Sequence, residues 1–595
     1  MPEFTAPGVY IQELPSDQQA VRAVSTSNFG TVGWLPRGPV NVATLVGSLN
    51  EYFNVFGGYW DNSVTPDIVT AFFKNGGARA YITRVVPSDA VKASIVVSPS
   101  LWTFTATSEG TWGNSFKVRV TGSENYYNQP TATYSRYDVS VLENGVEVEA
   151  FREVDFDDDS GEHGVLTVVN DGSKYVQLAK GTGGVIPAFE STAVLAEALG
   201  VGDGSVAQTI TATLASPVVA SRTLYIKVDG VVVARDNGKG AIVQVGTSFT
   251  SITGTINYTT GALSVVFTAG VATGDAVTAD YYEAGSASED YTLIGGLEGT
   301  EVTRDQVSNP ILQADRKGLY AFDLVNELLN IGLGDFQGDQ VVHSDLISYV
   351  QGRGDCFAIL DCPKGSSEAD AKDYKLNVLA SLSPFYAMYW PSVKVADNLR
   401  GGRPKVISAI GHVAGRYAFT DARRNVGKAP AGTVDGALSY ILGLEFPAVS
   451  LAQQGAVYTS NINPIKSEPG TGIVLWGSRT GQLAGDFTQI STRRLFNFVE
   501  KSLYNASQPF VFEPLTEETF ARVKLTFDGF LNALTQQNYF ASQNPEQAFR
   551  VICDTTNNTP DTIAQNLLIA DILLADANPA EFVLLRFKRV LGAIS

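Results

Sequence analysis

Residues 25 to 90 alternate helix and strand signals, and so does the chain from about residue 310 onward, whereas the long stretch between them carries strand and turn signals only. That order predicts one discontinuous α/β core written in two parts, with β-rich domains inserted between them. In the first part, Ser48 and Glu51 of "SLNEYFNVFGG" form a capping box that Gly57 and Gly58 close, and Thr65-Pro66 opens a second helix that "NGG" ends before the strand "RAYITRVV". The insertion is read from "SFKVRVTG", from a hairpin through Asn144-Gly145, and from further turns at Asp229-Gly230 and Thr260-Gly261, with a break at "EALGVGDGSVAQ". Evenly spaced strands after that break suit a second, sandwich-like β domain.

The second α/β part runs through "YAFDLVNELLNI", read as helical, the strand "CFAILDCP", "SEADAKDYKLNVLASL" and the strand "FYAMYWP". Beyond about residue 455 come "GIVLWGSRT", a helix from Ser491, a strand "FVFEP" and a helix from Thr516. Phe520, Val523, Phe527, Phe530, Leu531 and Leu534 give the last helix its apolar stripe. The expected divisions are 1–24, an N-terminal arm; 25–90, the first part of the core; 91–189, a β-rich insertion; 190–288, an outer β domain; 289–454, the second part of the core; 455–578, a C-terminal α/β module; and 579–595, a C-terminal strand arm. The fold class is therefore α+β and multidomain.

Charge narrows the partners. Against 42 basic residues stand 61 acidic ones, a net charge of −19, and such a surface repels phosphate backbones, so nucleic acid is not an expected partner. No apolar run reaches the roughly 18 residues a membrane span needs, and "MPEFTAPGVY" has neither the basic nor the apolar region of a secretory signal. The expectation is a chain folded in a reducing cytoplasm without membrane insertion. Cys356 and Cys362 bracket one strand with sulfurs on the same side but about 20 Å apart, too far for a disulfide. With Cys553 they make no zinc site.

Candidate chemistry is thin. His163, His343 and His412 share no metal or catalytic spacing, and no GxSxG elbow occurs. Gly427-Lys428 fails as a phosphate loop because Ala422 and Ala429 stand where Gly and Ser/Thr are needed. The acidic run Asp155 to Glu162 has Ser160 in place of the calcium-loop glycine, and Arg353-Gly354-Asp355 runs straight into an apolar strand. Tyr386, Tyr389 and Trp390 read as core strand residues. The cluster Arg416, Arg423, Arg424 and Lys428 is a local positive patch suited to an acidic partner surface. No catalytic residue, metal or cofactor is expected.

The two ends pose the remaining question. Near the start, Pro7, Gly8, Val9, Tyr10, Ile11, Gln12 and Glu13 form a short strand between prolines with no turn after it. Near the end, Glu581, Phe582, Val583, Leu584, Leu585, Arg586 and Phe587 form another with no later partner. Several stretches, these included, resemble one family. "APGVYIQELPS", "VSTSNFGTVGWLPRGPVN", "LVGSLNEYFNVFGG" and "FFKNGGARAYITRV" are similar to the opening of contractile tail sheath proteins of bacteriophages and related contractile injection systems, and "EGTWGNSFKVRV" resembles their first β insertion. "GHVAGRYAFTDARRNVGKAPAG" resembles a further signature, with Gly427 where the family commonly carries a bulky aromatic. "GTGIVLWGSRT", "TRRLFNFVEKSLYNASQPFVFEPL" and "NPAEFVLLRFKRV" resemble its C-terminal module.

The resemblance covers roughly 1 to 120 and 310 to 595 and leaves 190–288 as a variable outer domain. It implies a non-enzymatic sheath subunit of a virion tail, assembled in the host cytoplasm. Copies would form stacked hexameric rings around an inner tail tube protein, in contact with baseplate and terminator proteins. It also implies that both arms add strands to neighbouring subunits, with "DQQAVRAV" and "DANPA" as flexible tethers. Arg493, Arg494, Lys501 and Lys524, with Arg416, Arg423 and Arg424, are the candidate tube or neighbour contacts. Competing readings are a β-rich surface-binding protein, an adhesin or carbohydrate binder acting through 190–288, and a hydrolase. A glycan screen on the outer domain discriminates the first, and a pocket of clustered titratable groups the second.

Overall fold

The computed structural model describes residues 21–97, 102–122, 136–156, 160–181, 193–216, 219, 223–237, 239–282, 290–446 and 450–581. The chain divides into two compact units, Met1–Pro87 with Glu301–Ser595, and Ser88–Thr300.

The first unit is built on one sheet. In chain order its elements are β1 (Asn28–Trp34), β2 (Thr44–Val46), α1 (Leu49–Phe56), α2 (Thr65–Lys74), β3 (Arg79–Val85), β4 (Leu329–Ile331), α3 (Gln340–Arg353), β5 (Phe357–Asp361), β6 (Tyr386–Trp390), α4 (Ile410–Arg423), β7 (Ile462–Glu468) and β8 (Gly472–Leu475). The strand order is β2-β3-β1-β4-β5-β6-β7-β8. From β3 to β7 all neighbours are parallel, with Asn28 opposite both Leu329 and Arg79, while β2 and β8 close the two edges antiparallel. Every residue of β1, β5 and β6 is buried, as expected of central parallel strands covered on both faces. Alternate side chains feed two cores. Val32, Leu360, Met388 and Trp390 join α3 on one face, and Phe29, Ile359, Ala387 and Tyr389 join α2 and α4 on the other.

Local signals behave as read. Ser48 caps α1 by accepting from Glu51 N–H, and the Glu51 carboxylate reaches back to Gly47 N–H at 2.7 Å. The start of α2 is capped from far away. Asp335 accepts from Val64 N–H (2.7 Å), Thr65 N–H (3.1 Å) and the Ser63 and Thr65 hydroxyls, so a carboxylate from the second part of the chain satisfies the N-terminus of a helix in the first. Helix α4 lies on α2 through Gly411 and Gly415. A Cβ at Gly411 would sit 2.1 Å from Ile68 O, and at Gly415 2.6 Å from Phe72 O. Gly411→Ala is therefore expected to lower stability by about 1–3 kcal/mol or more, read as an earlier guanidinium midpoint, because backbone must move to admit a methyl group.

Beyond β8 the unit continues with α5 (Ile490–Ser507), α6 (Glu517–Gln536), β9 (Phe549–Ile552) and β10 (Asp571–Leu574). These pack around a third core of Leu495, Phe498, Phe520, Phe527, Leu531 and Val551, against which Val21 and Val24 also lie.

The second unit holds two β bodies. One pairs a four-stranded sheet (Phe116–Gly122, Arg136–Glu143, Val146–Asp155 and Asp290–Thr292) with a three-stranded one (Ser94–Val97, Trp102–Ala106 and Val176–Lys180) around Trp102, Phe104, Phe116 and Phe156. The other, from Ala193 to Tyr282, is a single antiparallel eight-stranded sheet. It curls over one core that takes Ile210 from one edge strand and Val277 and Tyr281 from next to the other. Asn144 (φ 50°) and Asp229 (φ 47°) with the glycines after them form the expected two-residue turns.

Five readings are corrected. The domain expected over 190–288 is one curled sheet, not two stacked ones. Its break begins only after Val201, since Ala193–Val201 is a strand. The division at 455 cuts the main sheet, because β7 and β8 belong to it. "FVFEP" is a turn, with Phe512 at φ 72° and fully exposed. In "YAFDLVNELLNI" a short 3-10 turn (Gly318–Leu324) precedes strand β4, and α3 carries the helical crossover instead.

Candidate assembly surface

Strands β9 and β10 pair antiparallel as a two-stranded sheet, Val551 opposite Ile572, and stand apart from the main sheet. Such a ribbon has two outer edges. On β9, the Val551 and Ile552 carbonyls accept from Lys524 Nζ and the Asn557 side-chain amide, both at 2.8 Å. Beside β10 a groove of about 1060 Å³ runs between α5 and α6, lined by Phe496, Leu503, Phe527, Leu568, Ile572 and Leu574, with Phe510 to Leu515 on its rim. Tyr504, Val511 and Phe512 are exposed there. A strand added beside β10 would place every second side chain over this apolar floor.

The chain after β10 is held at two points near the N-terminal end of α5. Thr492 Oγ1 donates to Asp576 Oδ2 at 2.5 Å. Glu581 receives Arg479 Nε at 3.0 Å, a second bond from Arg479 Nη2, and Gln489 Nε2 at 2.5 Å. These bonds, Arg479 foremost, hold the Glu581 carboxyl down at about 2, and the guanidinium lies 4.1 Å over the Tyr458 ring. Two carboxylates at a helix N-terminus also meet the favourable end of its dipole. "DANPA", expected to be a loose tether, is thus anchored on both sides.

The expected contact residues divide by burial. Arg494 is buried, paired through Nη1 and Nη2 to both oxygens of Asp421 (3.0 and 2.5 Å) and through Nε to Asn330 (3.1 Å). Arg493 is buried too, bonded to Asn497 and Glu500 and placed over Phe487. Arg416 is buried on α4 and donates to the carbonyls of Val434 and Asp435 while lying 3.8 Å over Phe419. Lys501 is mostly covered and pairs with Asp355 at 2.9 Å. These four spend their charge inside the chain, which corrects their reading as outward contacts. Helix polarity alone does not reveal it, because the partners lie far away in sequence. Lys524 is partly exposed and also pairs with Asp528. Arg423 and Arg424 are exposed. Pro7 to Glu13 and Phe582 to Phe587 lie outside the described residues, so of the strand residues named for the two arms only Glu581 is placed.

The weaker motifs resolve plainly. Arg353 and Asp355 are bonded to each other, Nε to Oδ1 at 2.9 Å, and both side chains are largely covered. His343 accepts or donates at Nδ1 to Tyr374 Oη (2.7 Å), and burial pushes both His343 and His412 down to about 4. The three cysteines are buried free thiols. Among the described residues no group of His, Cys, Asp or Glu is arranged to hold a metal, and no helix is long and apolar enough to cross a membrane.

No family model matches the chain. It is 31% identical over 210 residues to the tail sheath protein of Vibrio phage KVP40, across 35% of this chain and 30% of that protein. It is 25% identical over 307 residues to the tail sheath protein of Salmonella phage ViI, across 50% of this chain and 45% of that protein. The chain resembles tail sheath proteins. It spans less than half the length of these tail sheath relatives. The fold likeness extends further. The contracted helical sheath of the anti-feeding prophage matches with a TM-score of 0.51 at 18% identity, over 98% of this chain and 99% of that one. A sheath tail protein from Listeria innocua matches with a TM-score of 0.52 at 10% identity, over 90% of each chain. The tail sheath likeness is thus one of sequence over part of the chain and of fold over nearly all of it.

Proposed function

We propose that this chain is a structural subunit of a contractile tail sheath. Copies stack as hexameric rings around an inner tail tube, between a baseplate and a terminator, and shorten by rigid-body rearrangement to drive the tube through a cell envelope. The observation that carries this reading is the fold shared over 98% of the chain with a sheath subunit, joined to the sequence likeness to phage tail sheath proteins. The activity is mechanical, and no catalytic group takes part. The free energy of contraction is the difference between two packings of the same subunit, summed over many copies, so no nucleotide is consumed at the moment of firing.

The arms supply continuity between copies. Each adds a strand to a neighbour, and the open edge of β10 above its apolar groove is the acceptor with the right geometry. Because "DANPA" is anchored at Asp576 and Glu581, it moves with the start of α5 and does not act as the loose tether.

Electron microscopy of the purified chain tests the reading, with tubes or stacked rings as the expected result. Deletion of residues 1 to 15, which lie outside all the described cores, is expected to leave the thermal unfolding profile unchanged and to abolish regular polymer. Normal tubes from the truncated chain would remove the N-terminal strand from the account, and a persistent monomer at high concentration of the intact chain would remove the sheath reading.

A further inference from the structure

A second cavity, of about 870 Å³, opens on the first unit and shares no lining residue with the β10 groove. Its size is that of a small-molecule site. Tyr458, Trp476 and Tyr539 supply aromatic walls, and residues 577 to 581 close one side. Arg424 and Lys428 also line it, and both are exposed. Arg424 has no side-chain partner among the described residues, while Lys428 Nζ makes only long approaches, 3.5 Å to the Ala429 carbonyl and 4.0 Å to Asp435. Among the described lining residues the only carboxylate is Glu581, and Arg479 and Gln489 Nε2 already occupy it. The cavity therefore offers two cations whose charge is not spent within the chain.

Two further features mark a built site. Ser478 lines the cavity at 6% exposure, and its Oγ has no hydrogen-bond partner. Gln489, also in the lining, donates Nε2 to Glu581 and is left with a buried, unpaired Oε1. Leaving two buried polar atoms unpaired in one cavity is costly unless something supplies their partners. The aromatic walls, for their part, are held in place from behind. The Arg479 guanidinium lies 4.1 Å over the Tyr458 ring and Lys466 Nζ 3.5 Å over the Trp476 ring, so both rings are fixed before anything binds.

We propose that this cavity binds a small heteroaromatic anion bearing an amino group, the chemistry of a free nucleoside monophosphate. Gln489 Oε1 can only accept, so it takes an amino N–H, and the Ser478 hydroxyl, which donates or accepts, takes a neighbouring ring nitrogen. The ring stacks on the aromatic walls, and the phosphate meets Arg424 and Lys428. The unpaired acceptors are buried and the cations exposed, which orients the ligand base inward and phosphate outward. Gly427-Lys428 thus serves without a phosphate loop, through a lysine side chain acting beside an arginine four positions earlier. Binding is non-covalent, breaks no bond of the nucleotide and does not rest on the sheath reading. Because residues 577 to 581 form one side, an occupant packs against the segment between the Asp576 and Glu581 anchors and is expected to slow amide exchange at Asn578 and Ala580.

The test titrates the full-length chain with AMP by calorimetry and maps the site with 8-azido-AMP. Saturable binding with a Kd below about 1 mM is expected, weakening as salt is raised, with photolabel on peptides holding Tyr458, Trp476 or Tyr539. Adenosine and inorganic phosphate, each supplying half of the ligand, should bind about tenfold more weakly or worse. R424E/K428E, which changes only exposed side chains, should raise the Kd for AMP about tenfold or more, and S478A should raise it by roughly 2- to 10-fold with the unfolding midpoint preserved. No saturation by about 5 mM AMP, an unchanged Kd in R424E/K428E, or label confined to other peptides would each overturn the assignment. Inorganic phosphate binding as tightly as AMP would reduce the site to a bare anion contact, and an oligonucleotide competing as well as AMP would make it a nucleic-acid surface; either result defeats the proposal. Because tube formation is scored separately by microscopy, failure here leaves the sheath reading standing, and loss of the sheath reading leaves the binding result intact.

Discussion

Arg494→Met is expected to cost about 3–5 kcal/mol of stability, read as a large fall in the guanidinium midpoint of the unit that contains it. The substitution leaves the Asp421 carboxylate buried with its strongest partner gone, and an uncompensated buried charge is among the most expensive defects a core can hold. The side chains are 4% and 2% exposed, so water cannot take over. The guanidinium also joins separate parts of the chain. It bonds Asp421 on α4, Asn330 on β4 and the Thr26 carbonyl ahead of β1, all from α5, and lies 4.7 Å over the Tyr417 ring. Arg494→Lys should recover little, because a point charge cannot replace a planar fork that satisfies several acceptors at once. Asp421→Leu with Arg494→Met should regain much of the loss, since removing both charges removes the burial penalty with them. A loss below about 1 kcal/mol in the single variant would mean that the pair is not what fastens α5 to the sheet.

That fastening bears on mechanism. A subunit that transmits force by rigid-body motion needs its assembly surface joined firmly to its core. Helix α5 carries the groove on its later turns and the anchors of residues 576 and 581 at its start, and Arg494, with Lys501 on Asp355, ties the same helix to the central sheet. In the proposed sheath, displacement of the core would thereby be passed to a strand laid on the groove.

What could be read from the sequence follows the range of the interactions. Ser48, Thr65-Pro66, Asn144-Gly145, Asp229-Gly230 and Thr516 act within a few residues, and each does what its local chemistry predicts. Helix α3 escaped because its buried residues, Val342, His343, Leu346, Ile347, Tyr349 and Val350, wrap more than one face and blur the period. Strand β4 escaped because three buried residues are too few to show alternation. The site was less legible still. Arg479 and Glu581 are 102 positions apart, and Arg494 and Asp421 are 73 apart, so only the fold reveals that these charges meet. The two terminal strands expected from the sequence lie, Glu581 apart, outside the described residues, while the groove beside β10 arises from packing between distant segments.

Acidity supplies the second large effect, through three buried groups that pull in opposite directions. Both oxygens of Asp361 are buried without a well-formed hydrogen bond, and burial pushes its carboxyl up to about 7, which the nearby Ser408 hydroxyl and its own backbone N–H offset only in part. Its folded pKa lies above the unfolded value near 3.9, so the folded state binds the extra proton and stability falls as pH rises from about 4 to 7. His343 and His412, held neutral and pushed down to about 4 against an unfolded value near 6.5, do the opposite: stability is lost as pH falls from about 6.5 to 4. Two histidines outweigh one aspartate, leaving a net slope of roughly 1.4 kcal/mol per pH unit on the acid side and, for these groups, an optimum near pH 6.5. Asp361→Asn removes the opposing proton. It should steepen the acid-side slope to about 2.7 kcal/mol per unit and raise stability at pH 8 by as much as roughly 4 kcal/mol, measured by denaturant unfolding across pH 5 to 8. Equal stabilities of the two proteins at pH 8 would show that Asp361 ionises freely in the fold. A gain at pH 8 that vanishes by pH 5 would instead locate the cost in the ionised carboxylate, buried at the end of β5 where the sheet has no charge to answer it.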